Sequence, residues 1–124
     1  MILRFLLAGI IMLTTSCYEP QRDCQAFKYG TFEFSALLNG EEVTTTFRRE
    51  GNLEIDYFQG KSDTSEVRWI NDCEYIVKKL HPKNIAEEKS IHMKILSTTP
   101  NSYIFEYGLV GTSVKSKGTA IKIK

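Results

Sequence analysis

The sequence predicts an all-β protein, a single small antiparallel meander of about eight strands curled into a barrel, after an N-terminal signal segment. Apolar and polar residues alternate from residue 31 almost to the end, which is the period of half-buried strands. Turn sequences rich in glycine, asparagine, aspartate and proline separate the alternating runs. No helical stretch is long enough for a parallel crossover, so consecutive strands should run antiparallel, and curling removes their exposed edges.

The alternating runs, in chain order, cover residues 31–38, 43–47, 53–57, 67–69, 75–77, 91–95, 103–109 and 118–123. Asn39-Gly40 between the first two predicts a type I′ hairpin, because both central positions of that turn need positive φ. Residues 84–89 are the one helical candidate of the domain, with Asn84 as a plausible N-cap, but the segment is short enough to be an irregular crossover. Asp23 is placed to cap a single helical turn through Cys24 and Phe27.

The first seventeen residues have the order of a bacterial lipoprotein signal. Arg4 gives a short positive start, an apolar run follows, and small hydroxylated residues lead into Cys17. The run is shorter than the roughly 20 residues that span a membrane. We therefore expect residues 1–16 to be removed, Cys17 to be acylated, 17–25 to be a tether and 26–124 to be the barrel domain. The alternative is an ordinary secretory signal that leaves Cys17 as a plain thiol.

The charge of the exported part argues against nucleic acid as a partner. The chain has 16 basic and 15 acidic residues, and the signal contains one of the basic ones, Arg4, so the remainder balances at fifteen against fifteen. Proteins that hold nucleic acid usually have a basic excess.

We expect the lipid on Cys17 to anchor the protein in the outer membrane, with the protein facing the periplasm. The alternative is a location on the cell surface.

Two cysteines remain once Cys17 is assigned to lipid. Cys24 and Cys73 form an even pair in a compartment that supports disulfides. Bonded, they would close a loop of about 50 residues, worth roughly 4 kcal/mol. A catalytic or metal-binding pair is less favoured, because neither lies in a CxxC and neither has a nearby histidine.

No motif in the sequence predicts an enzyme, a cofactor or a metal site. His81 and His92 lack acids or cysteines at ligand spacing and are interpreted as surface residues. Five acids, expected in solvated turns, lie close together in the sequence: Asp56, Asp63, Glu66, Asp72 and Glu74.

Two arginines in the predicted strands are candidates for a functional or structural role. Arg48 and Arg68 each follow or precede a large aromatic residue, so alternation turns them to the opposite face of the sheet. There they would line a polar pocket or pair with Glu33 and Glu54, and structural pairing is the favoured interpretation. Trp69 is expected in the core, packed on the disulfide.

The run from Arg68 to Tyr75, with the upstream Cys24-x-x-Phe27-x-x-Gly30-x-Phe32, resembles a group of short secreted bacterial lipoproteins with a lipocalin-like β-meander. The usual lipocalin Gly-x-Trp is here Gly30-x-Phe32. Chains of this kind are sometimes described as DNA topoisomerase IV, but zero net charge and an export signal argue against that reaction.

Two functions follow. The first is a non-catalytic lipoprotein that contacts another envelope protein. The second, which the resemblance implies, is a carrier of a small apolar ligand. Its candidate ligand-binding residues are Phe34, Trp69, Phe105 and Tyr107. A cavity lined by Phe34, Phe105 and Tyr107 and open at one end would favour the carrier. A filled interior beside an exposed apolar patch would favour the first function, an interaction module.

Overall fold

A computed structural model describes residues 22–124, so the signal segment and Cys17 lie outside the described part of the chain. Eight antiparallel strands form a closed barrel in which each strand pairs with the next and the first pairs with the last. The predicted fold class is thereby confirmed. The strands are β1 (Gly30–Leu38), β2 (Glu41–Glu50), β3 (Leu53–Phe58), β4 (Lys61–Trp69), β5 (Glu74–Lys79), β6 (Ile91–Thr98), β7 (Ser102–Leu109) and β8 (Ser116–Lys122).

The β1–β2 hairpin turns at Asn39 and Gly40, whose φ angles are 53° and 79°. Positive φ at both positions is the geometry of a type I′ turn, so this prediction is confirmed. The helix considered for residues 84–89 is absent, and the segment is a series of turns instead. The Asn84 side chain still accepts a hydrogen bond from the Glu87 backbone N–H at 2.9 Å, as an N-cap would.

The two ends of the barrel differ. The closed end carries the short turns that join β2 to β3, β4 to β5 and β6 to β7. A 3-10 helix (Cys24–Phe27) lies at this end, bonded through Cys24 to the β4–β5 turn and accepting a hydrogen bond from Lys122 of β8 at Ala26 O. Phe27 and Cys24 are buried there, at 1% and 3% exposure. The open end carries the longer β5–β6 and β7–β8 connections, residues 80–90 and 110–115.

The disulfide between Cys24 and Cys73 fastens the 3-10 helix to the β4–β5 turn, with the two Cα atoms 5.2 Å apart. The predicted helical turn is present, but Asp23 makes no side-chain cap. Its backbone N–H instead donates to Thr98 Oγ1 at 2.8 Å. Cys24 and Gln25, which were expected in the tether 17–25, belong to the 3-10 helix, and Cys24 packs in the core.

The hydrophobic core fills the closed half of the barrel. Its buried members come from the 3-10 helix and from strands β1, β2, β6, β7 and β8: Cys24, Phe27, Phe32, Phe47, Ile95, Tyr103, Phe105 and Ala120. Phe32 and Phe47 are direct partners across β1 and β2, and their rings stack at 5.2 Å. Among residues 22–124, no helix has the length and apolar character needed to cross a membrane.

Candidate functional site

The open half of the barrel contains a cavity of about 420 Å³. Small-molecule sites commonly have volumes of about 300–1,000 Å³, so this one has the right scale for a ligand. Ala86, Lys89 and Leu109 are exposed to solvent and also line the cavity, which therefore reaches the surface at the open end. We call this space the barrel cavity.

One side of the barrel cavity is an aromatic wall made by Phe34, Phe105 and Tyr107. The Phe34 and Phe105 rings are 5.4 Å apart, and those of Phe105 and Tyr107 are 5.6 Å apart. Gly118 lies behind this wall, where an added Cβ would come within 2.5 Å of Phe34 and 2.9 Å of Phe105. A glycine on β8 thus leaves the room that two of the three rings occupy.

A buried arginine closes the cavity at its inner end. Arg49 is 2% exposed, and the cavity is lined by Glu54 and Tyr75 but not by Arg49, so these two side chains cover the guanidinium. Every N–H group of the guanidinium has an acceptor. Nε donates to Lys28 O (3.2 Å), Nη1 to Glu54 Oε1 (3.1 Å) and Tyr75 Oη (2.9 Å), and Nη2 to Phe27 O (2.6 Å) and Tyr103 Oη (3.2 Å).

This Arg49 cluster (Arg49, Glu54, Tyr75 and Tyr103) is polar but enclosed by rings. The Arg49 Cζ atom lies 4.6 Å from the Phe32 ring centre and 4.9 Å from that of Tyr75. Burial disfavours the charged guanidinium, but Tyr75, Tyr103 and Glu54 together raise the pKa of Arg49 above its ordinary value. Burial raises the pKa of Glu54, and the positive charge of Arg49 opposes that rise. The cluster is a satisfied network rather than a free anion site.

An acidic side of the barrel cavity is formed by Glu54 and Asp56 of strand β3. Asp56 faces inward because it is the direct partner of the inward-facing Phe47 on β2 and lies two residues after Glu54. Asp63 is opposite it on β4. Burial, then the nearby charges of Glu54 and Asp63, raise the pKa of Asp56 to about 7. This carboxyl therefore titrates near neutral pH.

Lys79 forms two ion pairs at the mouth of the cavity. Lys79 Nζ lies 2.9 Å from Asp63 Oδ2 and 2.8 Å from Glu87 Oε1, so it joins β4 and β5 to the β5–β6 connection. Hydrogen bonds to Glu87 and Asp63 raise the pKa of Lys79 and keep it charged. Because Glu87 lines the cavity, this bridge fixes one rim of the opening.

The structure corrects the prediction for the arginines. Arg48 and Arg68 are both exposed, and Arg48 pairs with Glu50 at 3.1 Å on the outer surface. The buried arginine is Arg49, which was not among the predicted site residues. The signal was present, since Arg49 lies two residues after Phe47 on the face that alternation turns inward.

The structure also corrects part of the prediction that the five clustered acids lie in solvated turns. Glu66 and Asp72 are exposed, as expected of solvated positions. Asp56 lies within β3 and lines the barrel cavity, so the expectation of a solvated turn is wrong for it. Glu74 Oε1 lies 3.2 Å from His92 Nε2 on the neighbouring strand, so His92 has an acidic partner that sequence spacing did not reveal.

Trp69 lies apart from the other three candidate ligand-binding residues. It is partly buried near the closed end, with its ring 4.5 Å from that of Tyr75, and it does not line the barrel cavity. Its Nε1 is buried without a hydrogen-bond partner in the described part of the chain. Trp69 and Cys73 both pack against the core cluster, which agrees with the structural role considered for Trp69.

The cavity as a whole can hold a molecule by apolar contact on one side and by carboxylates on the other. Residues 22–124 contain no group of three histidine, cysteine or acidic side chains arranged to hold a metal ion. A scan of protein-family models found no match for the chain, and searches of curated proteins and of solved structures found no similar protein.

Proposed function

We propose that this chain is a non-catalytic binding protein that holds a small, mainly apolar molecule inside its barrel. The observation that carries the proposal is the barrel cavity, which opens at one end and is lined by Phe34, Phe105 and Tyr107. A barrel of this size ordinarily fills its own interior with side chains. The cavity thus favours the carrier over the interaction module.

The rest of the molecule supports a rigid container. The disulfide and the Arg49 cluster fix the closed end, and the described strands continue their pairing round the whole barrel. Preorganised walls reduce the ordering cost of binding. The ion pairs of Lys79 with Asp63 and Glu87 lie at the mouth, and these three side chains are partly exposed.

Binding is tested with the neutral fluorescent probe N-phenyl-1-naphthylamine and the purified protein. We expect a saturable, one-to-one rise in fluorescence. Met93→Trp fills part of the cavity and should weaken binding at least about tenfold, because Met93 lines it and interiors accept added volume poorly. The control is Ile104→Trp, on the exposed outer face of β7, which should bind as the parent does. No saturable signal, or equal weakening by both substitutions, would contradict the proposal.

The anchor is the second part of the proposal. We propose that acylated Cys17 holds the barrel at the outer membrane, on the charged, apolar and small-residue order of residues 1–17. A fatty-acid analogue added to growing cells should label the parent protein and leave Cys17→Ser unlabelled. Equal labelling of the two proteins would contradict the proposed lipid anchor.

One observation supports the alternative function, an interaction module that contacts an envelope protein. Ile104 and Ile121 lie on the outer faces of neighbouring strands and are 43% and 46% exposed. Such a pair could contact an envelope protein. If Ile104→Asp together with Ile121→Asp abolishes capture of a specific partner while probe binding is unchanged, the chain has this second role.

A further inference from the structure

The barrel cavity contains a carboxylate with no partner of its own. Asp56 is half-buried on the inner face of β3 and makes no hydrogen bond or ion pair with any residue between 22 and 124. A carboxylate that is partly removed from water without a donor is disfavoured. A hydrogen-bond donor brought in by a ligand would relieve that cost.

The charged groups around Asp56 make a cation the best complement. Glu54 on β3 is already paired with Arg49 of β2, and Asp63 on β4 is already paired with Lys79 of β5. Lys79 also binds Glu87 of the β5–β6 connection. Both neighbouring cations are therefore engaged by other carboxylates. Lys89 is the remaining cation of the lining, and it lies at the exposed mouth.

The opposite side of the cavity suits a hydrocarbon body. Phe34, Phe105 and Tyr107 form the aromatic wall, and Ile91 and Met93 continue the apolar surface on β6. A molecule with an apolar body and one polar head can therefore lie across the cavity with its head toward β3. An anionic head would add a negative charge beside Glu54 and Asp56, which electrostatics disfavours.

We propose that the ligand carries a protonated amino group, which pairs with the Asp56 carboxylate while its apolar body lies against the aromatic wall. This inference rests on the proposed function, since it names the ligand class of the same cavity. Alkyl ammonium groups suit the site because they combine one positive charge with N–H donors. They also stay protonated well above neutral pH, as lysine does.

The pH dependence of binding follows from the carboxyl. The pKa of Asp56 is raised to about 7, chiefly by burial and then by Glu54 and Asp63, with Lys79 and Arg49 acting in the opposite direction. An amine should therefore bind more tightly at about pH 8, where Asp56 is ionised, than at about pH 5.5, where it is neutral. A neutral ligand should lack that increase.

The test compares three ligands of equal chain length, dodecylamine, dodecanol and dodecanoate, each displacing N-phenyl-1-naphthylamine below its aggregation concentration. At about pH 8 the amine should compete about tenfold better than the alcohol, and the carboxylate should be weakest. In Asp56→Asn the preference for amine over alcohol should fall to about one. The matched control, Glu66→Gln, changes an exposed acid on the outer face of β4 and should keep the preference.

The outcomes separate the two proposals. If the probe and dodecanol bind but the amine shows no preference in the parent protein, the amine inference is overturned and the carrier stands. The inference is also overturned if Asp56→Asn keeps the preference, or if amine binding does not rise with pH in the parent. If the probe does not bind at all, both proposals fail.

Discussion

Arg49 and Glu54 are direct partners across β2 and β3, and 3.1 Å separates Nη1 from Oε1 inside the barrel. Their side chains are 1% and 9% exposed. Removing one partner of such a pair leaves a buried charge without compensation, which typically costs about 3–5 kcal/mol. We therefore expect Glu54→Ala to lower the free energy of unfolding by about that amount in denaturant titrations.

The same hairpin offers a control. Arg48 and Glu50 also form an ion pair at 3.1 Å, but their side chains are 46% and 68% exposed. Exposed pairs contribute only about 0–1 kcal/mol, so Glu50→Ala should change stability little. Similar losses in Glu50→Ala and Glu54→Ala would mean that the buried pair has no special role.

The disulfide should stabilise the closed end strongly. Cys24 and Cys73 are 49 residues apart, and the chain-entropy relation gives about 4 kcal/mol for a loop of that length. Replacing both cysteines by serine should lower the free energy of unfolding by roughly 2–5 kcal/mol. Unfolding of the parent protein with and without reductant measures the same quantity. A stability that reductant leaves unchanged, together with two alkylatable thiols in the native protein, would contradict the bond.

Asp56 should make stability fall as the pH rises. Its pKa is about 7 in the folded protein against an ordinary value of 3.8, so between about pH 4 and pH 7 the folded form keeps a proton that the unfolded chain has released. The free energy of unfolding must then decrease across that interval. The part due to Asp56 is the difference from Asp56→Asn, and we expect it to be about 4 kcal/mol, because the two pKa values differ by about 3 and each pKa unit corresponds to about 1.4 kcal/mol. Parallel stability curves for the two proteins would exclude a raised pKa.

Trp69 should matter for packing rather than for its N–H group. Trp69→Ala removes a ring in contact with Tyr75 and the core, and truncations of this kind cost about 3–5 kcal/mol. Trp69→Phe keeps much of that contact and removes a buried N–H that has no partner among the described residues. It should cost clearly less in thermal unfolding. Equal losses in the two variants would point to a role for the indole nitrogen.

Alternation and turn chemistry predicted the strands because both depend on neighbouring residues alone. Asn39-Gly40 set the first hairpin, and each predicted run lies within an observed strand or overlaps it. The paired β1 and β8 that close the barrel also agree with the tendency of such sheets to remove their edges.

The inner face of β3 was harder to predict, because its apolar residues lie on the outside. Leu53, Ile55 and Tyr57 alternate as a buried strand would, yet Glu54 and Asp56 face inward. The turn at residues 51–52 decides this, since it pairs Glu50 with Leu53 and so places Asp56 opposite Phe47. Hairpin register therefore outweighs the pattern within one strand. The cavity itself depends on how side chains from seven strands, β1 to β7, fill the interior, which local sequence does not specify.

Met93 gives the most direct test of the central claim that the barrel cavity binds a small molecule. It lines the cavity, and it is the only methionine after residue 12, so one labelled methyl group reports on the interior. We expect titration of the ¹³C-methyl-labelled protein with N-phenyl-1-naphthylamine to shift the Met93 signal in a saturable way. We also expect nuclear Overhauser contacts between the probe and that methyl group. Probe binding that leaves the Met93 signal unmoved would place the ligand elsewhere and contradict the account.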